Sequence, residues 1–436
     1  MQDHTGKRCI IAWAMYDWAN SAFATTVMAG FFPVFFKEYW SAEAEISVTT
    51  FKLGAANSLA SILVALSAPF LGAMADRGGV RKRFLLTFAF LGIVVTGALY
   101  FVARGEWQWA ATLYVLGIIG FSGSNIFYDS LLVNVAGEDK WDLVSALGFS
   151  LGYLGGGLLF ALNVLMTLRP DFFGFADTGD AVRTSFFSVA IWWAVFSIPL
   201  MLFVKEHRSV NGPGNRHIVR DGVKQVLTTI GHVRRLRIVF LFLLGYWLYI
   251  DGVDTIIRMA VDYGMSLGFD SRSLILALLI TQFVGFPSAI MFGKLGEKIG
   301  AKKGVLLALA VYLGVTIYGF FMDREAEFYI LAGVIGLVQG GVQSLSRSLY
   351  ARIIPKNLSA EFFGFYNLLG KSAAVVGPLL MGTISMKTGN PRLSILSIGV
   401  LFVSGALILM AVNEKDGRRA AVVLENDPLF PPPMKG

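Results

Sequence analysis

Two stretches of eleven residues decide the fold. Residues 72–82 are Gly-Ala-Met-Ala-Asp-Arg-Gly-Gly-Val-Arg-Lys, and residues 293–303 are Gly-Lys-Leu-Gly-Glu-Lys-Ile-Gly-Ala-Lys-Lys. A shift of 221 positions aligns Gly72, Asp76, Arg77, Gly79, Arg81 and Lys82 with Gly293, Glu297, Lys298, Gly300, Lys302 and Lys303. Each stretch follows the second long apolar segment of its half of the chain. The repeat therefore predicts two related halves with the same orientation.

The composition around these stretches is that of a membrane protein. Of the 436 residues, 55% are apolar and only 15% are charged, whereas soluble domains carry about 25% charged residues. The single cysteine, Cys9, excludes an internal disulfide. The net charge of +8 is spread over short loops, which is typical of membrane topology and argues against a nucleic-acid partner.

Twelve segments are long and apolar enough to cross a bilayer, which takes about 20 residues of helix. They are residues 10–36, 53–75, 84–103, 108–136, 143–168, 185–204, 238–261, 273–294, 304–322, 327–351, 360–386 and 393–413. The first is too long for the apolar core of a signal peptide and is predicted to stay in the membrane. The sequence predicts a first half over 1–204, a basic linker over 205–237, a second half over 238–413 and a disordered tail over 414–436.

Lysine and arginine give the predicted orientation, because they accumulate in cytoplasmic loops. With both termini in the cytoplasm, 25 of the 37 basic residues fall on the cytoplasmic side and 9 on the other side. A multi-pass protein of the bacterial inner membrane is therefore expected. The linker has apolar residues among its basic ones, so it is either an amphipathic helix on the membrane surface or a solvated connection.

The first repeat, G-x-x-x-D-R-x-G-x-R-K, resembles the loop signature of the major facilitator superfamily. Residues Tyr16 to Phe23 with Phe31-Phe32-Pro33, and the sequences around Gly364 and Gly370, are similar to the vacuole-effluxer-like family within it. The resemblance implies an all-α membrane protein with twelve helices in two pseudo-symmetric six-helix halves. Fungal members of that family are associated with amino-acid export from the vacuole.

The resemblance also implies a role for the loop motif as a conformational latch that holds the cytoplasmic side shut. Asp76 is expected to pair with an arginine or to face a helix N-terminus. Gly72 would allow a second helix to approach closely, Gly79 would permit a tight turn, and the basic residues would contact anionic lipid. The alternative is that these charges only set the topology.

Charged residues inside the apolar segments need a partner or a water-filled cavity, because a charge in hydrocarbon costs about 3 kcal/mol or more. Segments 3, 6, 9 and 12 have none in their bodies. Segments 1, 4, 7 and 10 contain Asp17, Asp129, Asp251, Asp254, Arg258 and Arg347. In the superfamily the first set of helices is peripheral and the second set lines the central cavity, so these residues are expected to face a cavity.

The seventh segment carries Asp251, Asp254 and Arg258 on one helical face, with Asp251 and Asp254 near the predicted midplane. Burial disfavours a charged carboxylate, and like charges one turn apart repel each other, so these two residues are candidates for proton coupling. Lys371 is a candidate to hold a carboxylate of the solute. The remaining candidates for solute contact or proton coupling are Asn20, Arg258, Gln343 and Asn367.

Asp17, Asp129 and Arg347 are predicted to form an inner gate. The first lies close to the cytoplasmic end of its segment, and the other two are about 20 residues from the outer ends of theirs, so all three share one depth. The alternative for every one of these intramembrane charges is a structural ion pair between helices, without solute contact.

The sequence predicts a secondary transporter, coupled to protons, for a small polar solute such as an amino acid, with efflux suggested by the family alone. Gly364 to Ser372 has the wrong spacing for a phosphate-binding loop, and the four histidines lie outside the segments, so no cofactor, metal or enzymatic activity is expected. The predicted partners are the solute, protons and membrane lipids, and the protein is expected to be a monomer. The alternatives are an exporter of hydrophobic drug-like or lipid-like molecules and a receptor without transport.

Overall fold

The structure, a computed structural model, is almost entirely helical over the residues that it describes. These residues are 6–42, 46–206, 236–267, 269, 271–372 and 376–425. Eleven of the helices in these ranges are long and apolar enough to cross a membrane. The predicted all-α membrane architecture is therefore confirmed.

The first half of the chain contains six long helices. Helix α1 is α-helical over Lys7–Ala22, π-helical over Phe23–Phe31, α-helical over Phe32–Phe35 and π-helical again over Phe36–Trp40. The other five are α2 (Ile46–Gly78), α3 (Arg81–Ala98), α4 (Trp107–Ser130), α5 (Trp141–Leu168) and α6 (Thr178–Phe203).

The second half repeats this arrangement. Its helices are α7 (Arg237–Ser266), α8 (Ser271–Ile299), α9 (Ala301–Phe321), α10 (Glu325–Ile353), α11 (Ser359–Ser372), α12 (Val376–Thr388) and α13, which joins Pro391–Ser397 to Gly399–Ala411. A last helix, α14, covers Glu414–Glu425. Short helices lie in the connections, at Leu99–Phe101, Leu132–Val135, Glu138–Lys140, Pro170–Phe173 and Lys356–Leu358.

The eleventh predicted segment, residues 360–386, corresponds to α11 and α12 together. Residues 373–375 between them lie outside the described residues, and neither helix alone has the length of a membrane span. The amide of Gly377, in the first turn of α12, donates to the carboxylate of Asp251 on α7 at 3.0 Å. This hydrogen bond joins α12 to α7.

The two halves pack against each other at one end of the bundle. We call the end that holds residues 76–83 and 294–303 the motif side, and the opposite end the far side. The contacts between halves run along α2 with α11 and along α5 with α8. A Cβ built on Gly72 of α2 would lie 2.2 Å from the carbonyl oxygen of Ala360. The close approach predicted for Gly72 is present.

The predicted disorder of the tail is wrong for residues 414–425, which form α14. Gly417, Ala421 and Leu424 are buried at helical spacing, and a Cβ built on Gly417 would touch both Ile353 and Ile238. This stripe packs α14 against α10 and α7. The sequence did not indicate it, because most residues around it are charged or small. Residues 426–436, and residues 207–235 of the predicted linker, lie outside the described residues.

Small residues on α5 bring it against α1. A Cβ built on Gly152 would lie 2.6 Å from Ser21 Oγ, and one built on Gly156 would lie 2.8 Å from Thr25 Oγ1. Glycine every four residues is the pattern by which membrane helices pack closely. This contact positions Asp17 and Asn20 of α1 beside α5.

The substitution Gly152→Leu is expected to lower the thermal stability of the detergent-solubilised protein, because overpacking costs about 1–3 kcal/mol. The matched control is Gly314→Leu on α9, where a built Cβ meets no atom within 4 Å. Thermal unfolding of both variants checks the prediction. Equal melting temperatures would show that the contact between α1 and α5 is not tightly packed.

Candidate functional site

A cavity of about 420 Å³ lies between the two halves. Its polar lining comes from both of them. The first half contributes Asp17, Asn20, Thr25, Asn125, Tyr128, Asp129 and Tyr153, and the second half contributes Asp254, Thr281, Gln282, Gln339, Gln343, Arg347 and Asn367. The lining continues to Tyr263, Met322 and Phe328 near the far side. The cavity thus extends from the middle of the bundle toward the far side, whereas helix packing closes the motif side.

An ion cluster forms the inner end of this cavity. Arg347 Nη1, on α10, lies 2.9 Å from Asp129 Oδ1 on α4 and 3.7 Å from Asp17 Oδ2 on α1. The Arg347 side chain is only 2% exposed. The structure therefore brings together the three residues that the sequence assigned to an inner gate, and it does so across the boundary between the halves.

The contacts of the Arg347 guanidinium all reach the first half. Its Nε donates to Ser145 Oγ at 2.8 Å, and Nη2 donates to the Ser145 carbonyl at 2.8 Å. The rings of Trp13, Tyr128 and Phe149 lie within cation–π distance. Because the guanidinium is planar and always charged, these contacts fix it in one position. A side chain of the second half is thereby held in a pocket built by the first.

The carboxylates of the cluster have further donors. Tyr128 donates its hydroxyl to Asp17 Oδ2 at 3.0 Å, and Asn367 Nδ2 lies 3.4 Å from Asp129 Oδ2. The cluster holds two carboxylates and one guanidinium, so it carries an excess negative charge when both carboxylates are ionised. An uncompensated buried charge of this kind is energetically costly.

The cluster joins equivalent positions of the repeat. Asp129-Ser130-Leu131, at the end of α4, aligns with Arg347-Ser348-Leu349 on α10 at a shift of 218 positions, and α4 and α10 are each the fourth helix of their half. The pair is therefore close to the pseudo-two-fold axis that relates the halves. The ion pair thus joins the two halves at their centre.

The two carboxylates of α7 have different surroundings. Asp254 lines the cavity. Asp251 does not belong to the lining; it is buried, and it accepts hydrogen bonds from the Gly377 amide and the Thr255 hydroxyl. The single helical face inferred from the sequence places both residues toward the cavity, and this is wrong for Asp251, because α12 covers it.

The other predicted solute residues are near the cavity. Asn20 Nδ2 donates to Asn125 Oδ1 at 2.6 Å, and Tyr153 donates to Gln343 Oε1 at 3.1 Å across the halves. The side chains of Arg258 and Lys371 lie outside the described residues, so their predicted roles remain predictions.

The first loop motif joins the halves on the motif side. Asp76 accepts hydrogen bonds from the amides of Ala360 and Glu361 at 3.1 and 2.8 Å, in the first turn of α11. It also pairs with Arg81 at 2.6 Å. Both expected partners of this carboxylate, an arginine and a helix N-terminus, are present, and the helix belongs to the other half.

Arg81 extends this connection. Its Nη1 donates to Asn134 Oδ1 at 2.9 Å, and its Nη2 reaches the carbonyls of Lys356 and Asn357. Gly79 has φ +56°, which a glycine adopts without strain. The side chain of Arg77 lies outside the described residues.

The second motif copy differs from the first. Glu297 and Lys298 are exposed, whereas the Asp76 side chain is 1% exposed. Lys302 Nζ donates to the carbonyls of Met410 and Val412 at the end of α13. Lys82 Nζ makes the same contact with Met201 and Val204 at the end of α6.

The structural counterpart of Lys82 is therefore Lys302, not Lys303 as the sequence alignment suggested. Both occupy the second position of their helix, because the turn after Gly79 is one residue longer than the turn at Gly300. Lys303 is exposed. Gly293 packs on Ala146 of α5, as Gly72 packs on α11.

Sequence reasoning missed a second ion pair between the halves. Asp142, in the first turn of α5, accepts from Arg352 Nη1 at 2.9 Å and from the Ser348 hydroxyl, both on α10. Asp142 and Arg352 lie at segment ends, where charge is expected on topological grounds alone. No feature of the sequence separated them from ordinary loop charges.

Two six-helix halves that enclose a central polar cavity define a transporter of the major facilitator class. The family model "Vacuole effluxer Atg22 like" matches residues 39–142 and 136–422. The chain belongs to this family.

The relatives agree with that class. The chain is 39% identical over 413 residues to the uncharacterised MFS-type transporter YxiO of Bacillus subtilis (strain 168), covering 93% of this chain and 94% of the relative. Among solved structures, the human organic anion transporter MFSD10 gives a TM-score of 0.72 at 15% identity, covering 94% and 100% of the two chains. The transporter FucP, in an outward conformation, also gives 0.72 at 11% identity, covering 94% and 99%.

The substitution Arg347→Gln is expected to lower the free energy of unfolding by about 3–5 kcal/mol, because it leaves two buried carboxylates without their cation. The double variant Asp129→Asn/Arg347→Gln should recover part of this loss, since it removes one of those carboxylates. Denaturant titration of the purified protein gives both values. The matched control is Arg104→Gln, an exposed arginine on the far side.

A loss of stability in Arg347→Gln no larger than in the control would mean that the ion cluster does not hold the halves together. A double variant less stable than Arg347→Gln would mean that Asp129 has another essential partner.

Proposed function

We propose that the protein is a secondary active transporter that moves a small polar solute across the membrane by alternating access, coupled to protons. The observation that carries this proposal is the cavity between the halves, whose inner end is the Asp17–Asp129–Arg347 cluster. Transporters of this architecture bind solute near the middle of the membrane, between the halves. The relatives that carry a transporter name support the same class.

The size and lining of the cavity support a small polar solute. Its volume of about 420 Å³ lies toward the lower end of the range for small-molecule pockets, which is about 300–1,000 Å³. Side-chain amides line it, from Asn20, Asn125, Gln282, Gln339 and Gln343. An amide both donates and accepts hydrogen bonds, so such a lining suits a solute that carries both kinds of group.

Charge in the cavity supports an amino acid as the solute class. Asp17, Asp129 and Asp254 are all in the lining, with Arg347 as the described cation. A solute ammonium group would offset the excess negative charge, and the guanidinium suits a carboxylate. The family description, a vacuole effluxer, supports efflux as the direction. We further propose a bacterial plasma membrane, with the motif side in the cytoplasm; the distribution of lysine and arginine supports this orientation.

The mechanism follows from competition for the same carboxylates. While Arg347 is paired with Asp129, the motif side stays closed. A proton or a solute cation that neutralises Asp17 or Asp129 weakens the attraction for the guanidinium. The halves then separate on the motif side, and the cavity becomes accessible from there. Asp254 lines the same cavity nearer the far side and is the first candidate to take up the coupled proton from that side, because Asp251 is engaged with α12.

A second candidate, an exporter of a hydrophobic molecule, has one observation in its favour. Toward the far side the lining includes apolar side chains, among them Ile257, Val315, Phe328 and Leu331. A hydrophobic solute would occupy that part of the cavity and leave the ion cluster intact.

The test is amino-acid flux in proteoliposomes, with and without an imposed pH gradient. Gradient-driven flux is expected to fall at least about tenfold in Asp254→Asn. A tenfold loss corresponds to an increase of about 1.4 kcal/mol in the activation free energy of the transport step. The matched control is Asp171→Asn, an exposed carboxylate on the far side, which should retain full flux. Asp251→Asn should lower thermal stability more than coupling, because it weakens a hydrogen bond to the first turn of α12.

Unchanged flux in correctly folded Asp254→Asn would remove that residue as the coupling site. Absence of flux for every amino acid, with accumulation of a hydrophobic dye, would favour the second candidate. Absence of flux for both would favour a receptor that does not transport.

A further inference from the structure

We propose that a surface cavity on the motif side binds the phosphate-bearing headgroup of an anionic phospholipid from the adjoining leaflet. The cavity has a volume of about 780 Å³ and lies where the end of α13 meets α9 and the start of α14. Its charged lining consists of Lys302, Glu414, Lys415, Arg418 and Arg419. Cations therefore outnumber carboxylates four to one, which suits a phosphate group.

The membrane-facing side of α13 leads directly into this cavity. Val400, Val403, Leu407 and Met410 are 65%, 43%, 58% and 52% exposed and recur every three or four residues. They form one apolar stripe along the helix. Met410, the last of them, lines the cavity. An acyl chain that packs on the stripe places the headgroup of the same lipid among the basic residues.

Helix α14 has the arrangement of a helix that lies at the membrane surface. Gly417, Ala421 and Leu424 pack against the bundle. Its outward face carries Lys415 and Arg419, followed by Val422 and Val423, which are 51% and 73% exposed. Exposed basic residues favour contact with anionic headgroups, and the exposed valines beside them favour contact with the apolar boundary of the same leaflet.

The cations of the cavity are engaged to different degrees. Lys302 Nζ is held 2.7 and 2.8 Å from the carbonyls of Met410 and Val412, and Arg418 pairs with Glu138 of the first half. The Arg419 side chain is 82% exposed, and its Nη1 lies 4.0 Å from Asp416 Oδ1. Lys415 is also exposed. Lys415 and Arg419 are therefore assigned the main contacts with the phosphate. Lys302 and Arg418, which are fixed by contacts within the protein, form the base of the site.

The test is lipid binding to the full chain purified in detergent, followed by native mass spectrometry. The probes are phosphatidylglycerol, phosphatidylcholine and inorganic phosphate. The wild type is expected to retain phosphatidylglycerol in preference to phosphatidylcholine. The double variant Lys415→Gln/Arg419→Gln should bind phosphatidylglycerol about 30-fold more weakly, as expected for two basic residues near an anionic lipid.

The matched control is Arg104→Gln/Lys387→Gln, which removes the same charge from exposed positions on the far side and should bind like the wild type. Equal binding by the wild type and the Lys415→Gln/Arg419→Gln variant would overturn the proposal, as would equal loss in the control variant. Binding of inorganic phosphate as tightly as the lipid would also overturn it, because the apolar stripe would then contribute nothing. Since every substituted residue is exposed, folding is expected to be unaffected, and neither the transported solute nor the coupling ion enters the result.

Discussion

A guanidinium held by the opposite half of the molecule is the interaction on which the rest of the structure depends. The side chain of Arg347 extends from α10 of the second half. Its ion pair, its hydrogen bonds and its ring contacts are made with residues of the first half. Breaking a buried ion pair is costly unless both charges find new partners. The bundle therefore has a defined closed state on the motif side, and in the proposed mechanism a solute or a proton releases it.

The other contacts between halves are arranged around this cluster. The carboxylate of Asp76 accepts hydrogen bonds from two amides in the first turn of α11. Asp142 pairs with Arg352 on α10. Each is a carboxylate of the first half that binds a group of the second. The cavity begins immediately on the far side of the cluster. Closure on the motif side and a cavity toward the far side are the two features that the proposed alternating access requires, and the cluster lies between them.

The sequence predicts the fold well, because the repeat, the apolar segments and the distribution of basic residues are each local patterns. It also predicts that Asp17, Asp129 and Arg347 lie close together. Residues that share one depth in the membrane, on helices that line the cavity, can meet only in the centre of the bundle. Asp251 shows the limit of that reasoning. Helical spacing gives the face of the helix on which a side chain lies, but not the element that covers that face. In this structure α12 covers Asp251. The ion pair of Asp142 with Arg352 was missed because charged residues at helix ends are expected on topological grounds alone. Helix α14 was missed because its short buried stripe lies among charged residues.

The measurement that tests the central claim most directly is the distance between two spin labels on the motif side. Arg83→Cys on α3 and Lys303→Cys on α9, both exposed, in a Cys9→Ser background, would report the separation of the halves. If the Arg347 cluster holds the motif side closed, the otherwise unmodified protein gives mainly one distance, and Arg347→Gln adds a population with a longer distance. Identical distance distributions in the two proteins would contradict the account.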